Sequence, residues 1–302
     1  MRIKQVIKRY LPRKIFYFLK EILYPEKVDV LENRLNSLFL THYKNIGAPN
    51  ISQKIAIRDA EFKIYSKHGG DGILAYIFSK IGATNHTFIE MGVEDGRECN
   101  TSNLSFNLGW KGLLIDANED WIKSARAFYK EKLGSNADNI KMTANFVTAE
   151  NINQLITDSG FRGEIDLLSI DIDSNDYWVW KSINVINPRV VVMEYNAAMS
   201  NESVTIKYDP DFHYKGTSQK YPLYFGASLK ALVKLGKEKG YILVGCDTHG
   251  HDAFFVRSDV AEGKFVELSS EEAFYPNPYT LKKFGSVEEQ FKQIRHLDLI
   301  QI

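Results

Sequence analysis

Two stretches hold the side chains best suited to chemistry. DIDSNDYW groups Asp171, Asp173 and Asp176, and EYN adds Glu194, Tyr195 and Asn196 at the end of the next apolar run. If both runs are neighbouring strands of an open α/β sheet, these groups meet at the carboxyl edge, where ligands bind. Oxygen donors from two strand ends suit Mg²⁺ or a similar hard cation, so Asp171, Asp173, Glu194 and Asn196 are candidate ligands. Such a cation would bind a substrate hydroxyl and lower its pKa. Without one, Asp171, Asp173 or Glu194 can act as general base, or Asp171 can meet a cationic ligand. Asp176 and Ser174 equally suit the N-cap of the helix that follows.

The second stretch is FIEMGVEDGRECN, residues 88–100. A pyrophosphate loop needs G-x-G-x-x-G so that backbone amides can reach the phosphates. Here those positions hold Gly92, Glu94 and Arg97. A carboxylate at the middle position repels phosphate, so the loop suits a cationic ligand without one. S-Adenosyl-L-methionine fits, because it carries a sulfonium and an ammonium group. Glu90, Gly92, Glu94 and Asp95 are its candidate contacts, while loop amides hold its carboxylate. Asp95 and Glu98 also fit a D-x-x-E capping box. Asp116, with Ala117 beside it, closes the next strand and can accept both hydroxyls of an adenosine ribose. Thr148-Ala149-Glu150-Asn151 can border the adenine, with Ala149 and Glu150 as contacts, or Thr148 can cap a helix.

Seven strands are expected to position these groups. They are 86–92, 112–116, 141–149, 164–173, 189–196, 240–247 and 253–257, with helices at 96–108, 119–132, 151–158, 175–186 and 227–239. Alternating strands and helices indicate a parallel sheet wound by crossovers. The last two strands are separated only by a short turn, so they form an antiparallel hairpin. This predicts a doubly wound α/β fold with a seven-stranded, Rossmann-like sheet of the class I methyltransferase layout. Residues 1–65 read as a helical N-terminal extension, 66–257 as the cofactor-binding domain, and 258–302 as a tail packed on it. Within the domain, 197–225 is rich in aromatic residues and reads as a lid-like insertion.

Composition sets the broad class. The 302 residues carry 38 Lys plus Arg against 38 Asp plus Glu, which argues against a dedicated nucleic-acid binder. Two cysteines, Cys99 and Cys246, exclude a disulfide framework and fit a reducing cytoplasm. Residues 1–23 are basic and amphipathic, a pattern for a helix lying on an anionic inner-membrane leaflet or packed on its own domain. His249 and His251 fall in the hairpin turn, either exposed or bordering an acceptor pocket, and His68 precedes a helix that Asp71 can cap.

Several segments together resemble a known group. GGDGILAYIFSKIG, FIEMGVEDGRECNTSNL, GWKGLLIDAN, DLLSIDIDSNDYWVW, VVVMEYN and YFGASLKALVKLGKEKGYILVGCDTHGHDAFFVR are similar to bacterial S-adenosylmethionine-dependent methyltransferases related to the FkbM-like family. The resemblance spans roughly 65–257 and implies work in surface-polysaccharide biosynthesis. It implies cofactor contacts at Glu90, Gly92 and Asp116 and active-site acids at Asp171, Asp173 and Glu194. Lys67-His68-Gly69-Gly70 departs from the pattern, where Gln near Lys67 and an acid at Gly70 are expected. The expected reaction is O-methylation of a sugar, nucleotide-sugar or glycan acceptor. Asp171-x-Asp173 also matches the D-x-D of metal-dependent nucleotide-sugar glycosyltransferases, and a non-catalytic cofactor-binding partner protein is a further alternative.

Overall fold

The computed structural model describes residues 56–214 and 220–302. Most of the 1–65 extension, including the basic stretch 1–23, lies outside the described residues. Among the described residues, no helix is long and apolar enough to cross a membrane.

After helix α1 (Gly70–Ile81) come β1 (Thr87–Met91), α2 (Ser102–Leu108), β2 (Lys111–Asp116), α3 (Glu119–Leu133) and β3 (Ile140–Ala144). Then follow α4 (Ile152–Asp158), β4 (Gly163–Ile170), α5 (Asp176–Ser182), β5 (Ile186–Glu194) and β6 (Val204–Ile206). Helix α6 (Leu229–Glu238) leads into the hairpin β7 (Tyr241–Cys246) and β8 (Asp252–Arg257). Four short helices, α7 (Ser258–Ala261), α8 (Ser270–Ala273), α9 (Pro278–Phe284) and α10 (Val287–Ile294), precede β9 (Leu299–Gln301).

The main sheet has seven strands in the order β3-β2-β1-β4-β5-β8-β7, with β8 antiparallel to both neighbours. This is the class I methyltransferase order with its terminal hairpin. Strands β4 and β5 are covered on both faces, which is why their sequences read as unbroken apolar runs. Trp180 of α5 is 1% exposed and packs on Phe255 of β8 with ring centroids 5.1 Å apart.

Register sets what faces the carboxyl edge. Met91 of β1 pairs with Ile170 of β4, and Ile170 pairs with Met193 of β5. The next residues, Gly92, Asp171 and Glu194, therefore stand side by side. Glu194 in turn pairs with Asp252 of β8. A second sheet of two antiparallel strands joins β6 to β9, so the chain end closes onto the 197–225 segment. A small apolar cluster that includes Met199, Ile206, Phe212, Leu223 and Ile294 lies there.

Candidate functional site

The loop after β1 is held by its own acids. Glu90 is 6% exposed and accepts from Asn100 N at 2.9 Å, Thr101 N at 3.0 Å and Thr101 Oγ1 at 2.5 Å. Burial pushes its pKa up to about 7 against these three bonds. Its carboxyl thus ties the β1 end to the start of α2, a bracing role where a ligand contact was expected. Gly92 has φ +80°, and a Cβ there would sit 1.5 Å from the Asp171 carbonyl oxygen. Only glycine allows the β1 and β4 ends to approach this closely.

Glu94 is exposed with φ +47°, and its N–H donates to Asp116 Oδ2 at 2.8 Å. Asn118 N donates to Asp116 Oδ1 at 2.8 Å, so Asp116 orders both the acidic loop and the β2 turn that contains exposed Ala117. Asp95 pairs with Arg97 at 2.5 Å, and Glu98 with Lys63 at 3.1 Å. The capping-box reading is corrected: α2 opens at Ser102 with Thr101 as N-cap, past both acids.

Asp171, Asp173 and Glu194 converge, with one carboxylate oxygen from each within 4.8 Å of the others. Burial and mutual repulsion hold Asp171 and Glu194 well above the usual carboxylate range. Asp173, the exposed member at φ +54°, is pushed up to about 6 by desolvation and then by the charge of Asp176. Glu194 Oε2 is buried and has no hydrogen-bond partner among the described residues. Three converging carboxylate oxygens with one acceptor unsatisfied suit a hard divalent cation.

Two other expected members serve elsewhere. Asp176 accepts from Ile172 N at 2.9 Å and Ser174 N at 3.0 Å, bracing the turn; Asn175 holds the N-cap position. Asn196 is corrected as a metal ligand. Its Oδ1 accepts from Ala198 N at 3.0 Å, and its Nδ2 donates to Leu223 O at 2.8 Å and Phe225 O at 2.9 Å. That amide fastens the 197–225 segment to the β5 end.

Other groups reach the cluster from distant parts of the chain. Desolvation opposes the charge on Lys67, yet attraction to Asp171, Glu194, Glu94 and Asp173 raises its pKa above the ordinary lysine value. Burial, then the charges of Asp173 and Glu194, push Tyr214 of the 197–225 segment up to about 12. His251 Nδ1 lies 3.6 Å from Glu194 Oε1. Its Nε2 is 2.8 Å from Asn277 Nδ2. Asn277 Oδ1 accepts from Tyr279 N and Thr280 N, which fixes the amide so that Nδ2 donates to the imidazole. The hydrogen-bond network therefore assigns the neutral-ring proton to Nδ1, facing Glu194.

His68 stacks on His251 and His249 at 4.4 and 4.9 Å, and burial and these neighbours depress its pKa to about 3. Of the turn histidines, His249 is exposed and His251 only partly so. Asp71 accepts from the N–H groups of Ile64, Tyr65 and Ser66 at 2.8 Å each, shaping the loop that carries Lys67 and His68. Nothing in local sequence links residues 67, 251 and 277, so this part of the site is visible only in the fold.

On the expected adenine side, Thr148 and Asn151 exchange bonds of 2.9 and 3.3 Å and cap the turn before α4. Ala149 and Glu150 lie on that turn, and both are engaged by Tyr208.

No protein-family model matches the chain, and no curated protein does. Solved structures are distantly similar. An O-methyltransferase from Bacillus cereus in complex with SAH is 17% identical, with 74% of this chain and 89% of that chain covered and a TM-score of 0.40. The N-terminal domain of EvdMO1 with SAH bound is 14% identical, with 64% and 81% covered and a TM-score of 0.40. The CcbJ methyltransferase from Streptomyces caelestis is 11% identical, with 64% and 91% covered and a TM-score of 0.40. Likeness this distant carries no argument about chemistry; the chain's own sheet order gives it the class I methyltransferase fold.

Proposed function

We propose that the protein is an S-adenosylmethionine-dependent O-methyltransferase whose acceptor is a sugar or sugar substituent of a capsule or lipopolysaccharide. The observation that carries this reading is the acidic loop at the β1 end, which Glu94 N and Asp116 hold beside the β2 edge. Carboxylates there repel a pyrophosphate and attract the ammonium and sulfonium of the cofactor. Glu94, with Asp95 beside it in its ion pair with Arg97, would supply charge, Asp116 would accept the ribose hydroxyls, and the Ala149–Glu150 turn would border the adenine.

Transfer needs the acceptor oxygen in line with the methyl–sulfur bond, so positioning dominates the rate. Asp173, exposed and largely ionised at neutral pH, is the base that takes the acceptor proton. Burial and mutual repulsion raise the pKa values of Glu194 and Asp171 beside it, which limits the negative charge at the sheet edge. His251 and Lys67 stand at the same edge, and Tyr214 brings an aromatic ring suited to stacking on a sugar. A divalent cation, if bound by Asp171, Asp173 and Glu194, would supply Lewis-acid activation of the acceptor hydroxyl. The basic residues 1–23 would place the enzyme at the inner-membrane surface, where such acceptors are assembled.

The same Asp171/Asp173/Glu194 convergence favours a second reading, a metal-dependent nucleotide-sugar transferase. Incubation with methyl-tritiated S-adenosylmethionine and extracted surface glycans or sugar nucleotides separates the two. Label recovered on a sugar oxygen is expected, and a chelator that stops the transfer assigns the cation. Transfer of a sugar from its nucleotide, with no methyl label incorporated, overturns the reading.

A further inference from the structure

The turn before α4 and the 206–214 segment meet at the Tyr208 side chain. The Ala149 N–H donates to the Tyr208 hydroxyl at 3.1 Å, and that hydroxyl donates to Glu150 Oε2. A backbone donor beside a carboxylate acceptor is the complement of an adenine edge, which presents a ring-nitrogen acceptor next to its N6 amino donor. One phenol oxygen reproduces both functions. Glu150 is exposed, so burial does not require this bond.

The segment carrying Tyr208 runs between both halves of the proposed site. Trp178 Nε1 donates to Ile206 O at 2.9 Å, and Asn175 Nδ2 donates to Asp209 O at 2.8 Å, which pins the segment to α5 next to the acid cluster. At the other side His213 packs against Phe146, with the rings tilted by 49° and their centroids 4.7 Å apart, in the loop that leads to Ala149. Strand β6 anchors the start of the segment through β9. Tyr208 is thus presented to Ala149 and Glu150 from a fixed support.

We propose that Tyr208 is a latch that occupies the adenine-recognition groups of this site, so that cofactor binding must displace it. The inference rests on the reading of the site as one for S-adenosylmethionine. A ligand that binds only the unlatched form has its apparent affinity reduced by the fraction of molecules in that form. Removing the phenol oxygen frees the Ala149 N–H and Glu150 for adenine. Tyr208→Phe is therefore expected to bind S-adenosylhomocysteine roughly tenfold more tightly than wild type, the scale of one hydrogen bond to a charged group.

The test is titration calorimetry of S-adenosylhomocysteine into the full chain, wild type and Tyr208→Phe, with thermal melts showing both to be folded. Tighter binding by the variant supports the latch. Equal or weaker binding by the variant overturns it while leaving the cofactor assignment standing. No binding by either folded protein removes the cofactor assignment and the latch together.

Discussion

Gly92→Ala is expected to destabilise the protein by about 2–4 kcal/mol and to abolish measurable cofactor binding. At φ +80° an alanine loses the conformational ease of glycine, and its Cβ would lie 1.5 Å from the Asp171 carbonyl oxygen. Backbone cannot move aside cheaply, since Met91 and Ile170 just before the contact are locked in register in the middle of the sheet. Relief requires the β1 and β4 ends to part, which displaces Asp171 from Glu194 and the acidic loop from Asp116. For a domain of this size, each kcal/mol lowers the melting temperature by roughly 2–4 °C. A thermal melt therefore checks the first effect, and calorimetry with S-adenosylhomocysteine the second. A variant that melts with the wild type would show that the two strand ends approach less closely than described.

Asp116→Ala carries the next largest expectation, a loss of cofactor affinity of about 100-fold, or roughly 3 kcal/mol. Two effects combine. The carboxylate holds the N–H groups of Glu94 and Asn118 at 2.8 Å each, so its removal loosens the acidic loop before any ligand arrives. A carboxylate can accept about four hydrogen bonds, and charge-assisted bonds to ribose hydroxyls contribute on the order of 1.5–3 kcal/mol. Asp116→Asn keeps one acceptor oxygen and is expected to fall between the alanine variant and wild type. Unchanged affinity in Asp116→Ala would place the ribose elsewhere.

Much of the sheet was legible because buried parallel strands have a distinctive composition. The runs at 164–173 and 189–196 are apolar and β-branched, and they became β4 and β5 with shifts of a few residues at their ends. The hairpin was legible because THGHD is too short to cross the sheet, and β7 and β8 pair antiparallel as that demands. The third strand ends at Ala144, well before the expected 149, because Asn145 to Asn151 form the capped turn that meets Tyr208. The helix expected from 96 begins at Ser102, since Asp95 and Glu98 make ion pairs with Arg97 and Lys63 instead of capping it.

The site divides along the same line. Asp171, Asp173 and Glu194 could be grouped from sequence, because strand adjacency alone brings their positions together. Glu90 could be located but not its role, since the bonds it accepts come from a loop whose path depends on Gly92. Asn196 illustrates the converse, a suitable ligand type at a strand end that tertiary structure commits to Leu223 and Phe225. The hairpin turn offered His251 either as an exposed residue or as a border of the acceptor pocket, but no local signal joins it to Lys67 or Asn277. Nor does the β6–β9 sheet, whose pairing of Val204 with Gln301 joins segments nearly a hundred residues apart.

The central claim is that the acidic loop and Asp116 form an adenosine site for a cationic ligand without phosphate. Isothermal titration of the purified protein with S-adenosylhomocysteine, and separately with uridine and guanosine diphosphate sugars in Mn²⁺, tests it most directly. Saturable one-to-one binding of S-adenosylhomocysteine that weakens in Asp116→Ala is expected, with no binding of the sugar nucleotides. Saturable binding of a sugar nucleotide with none of S-adenosylhomocysteine would contradict it.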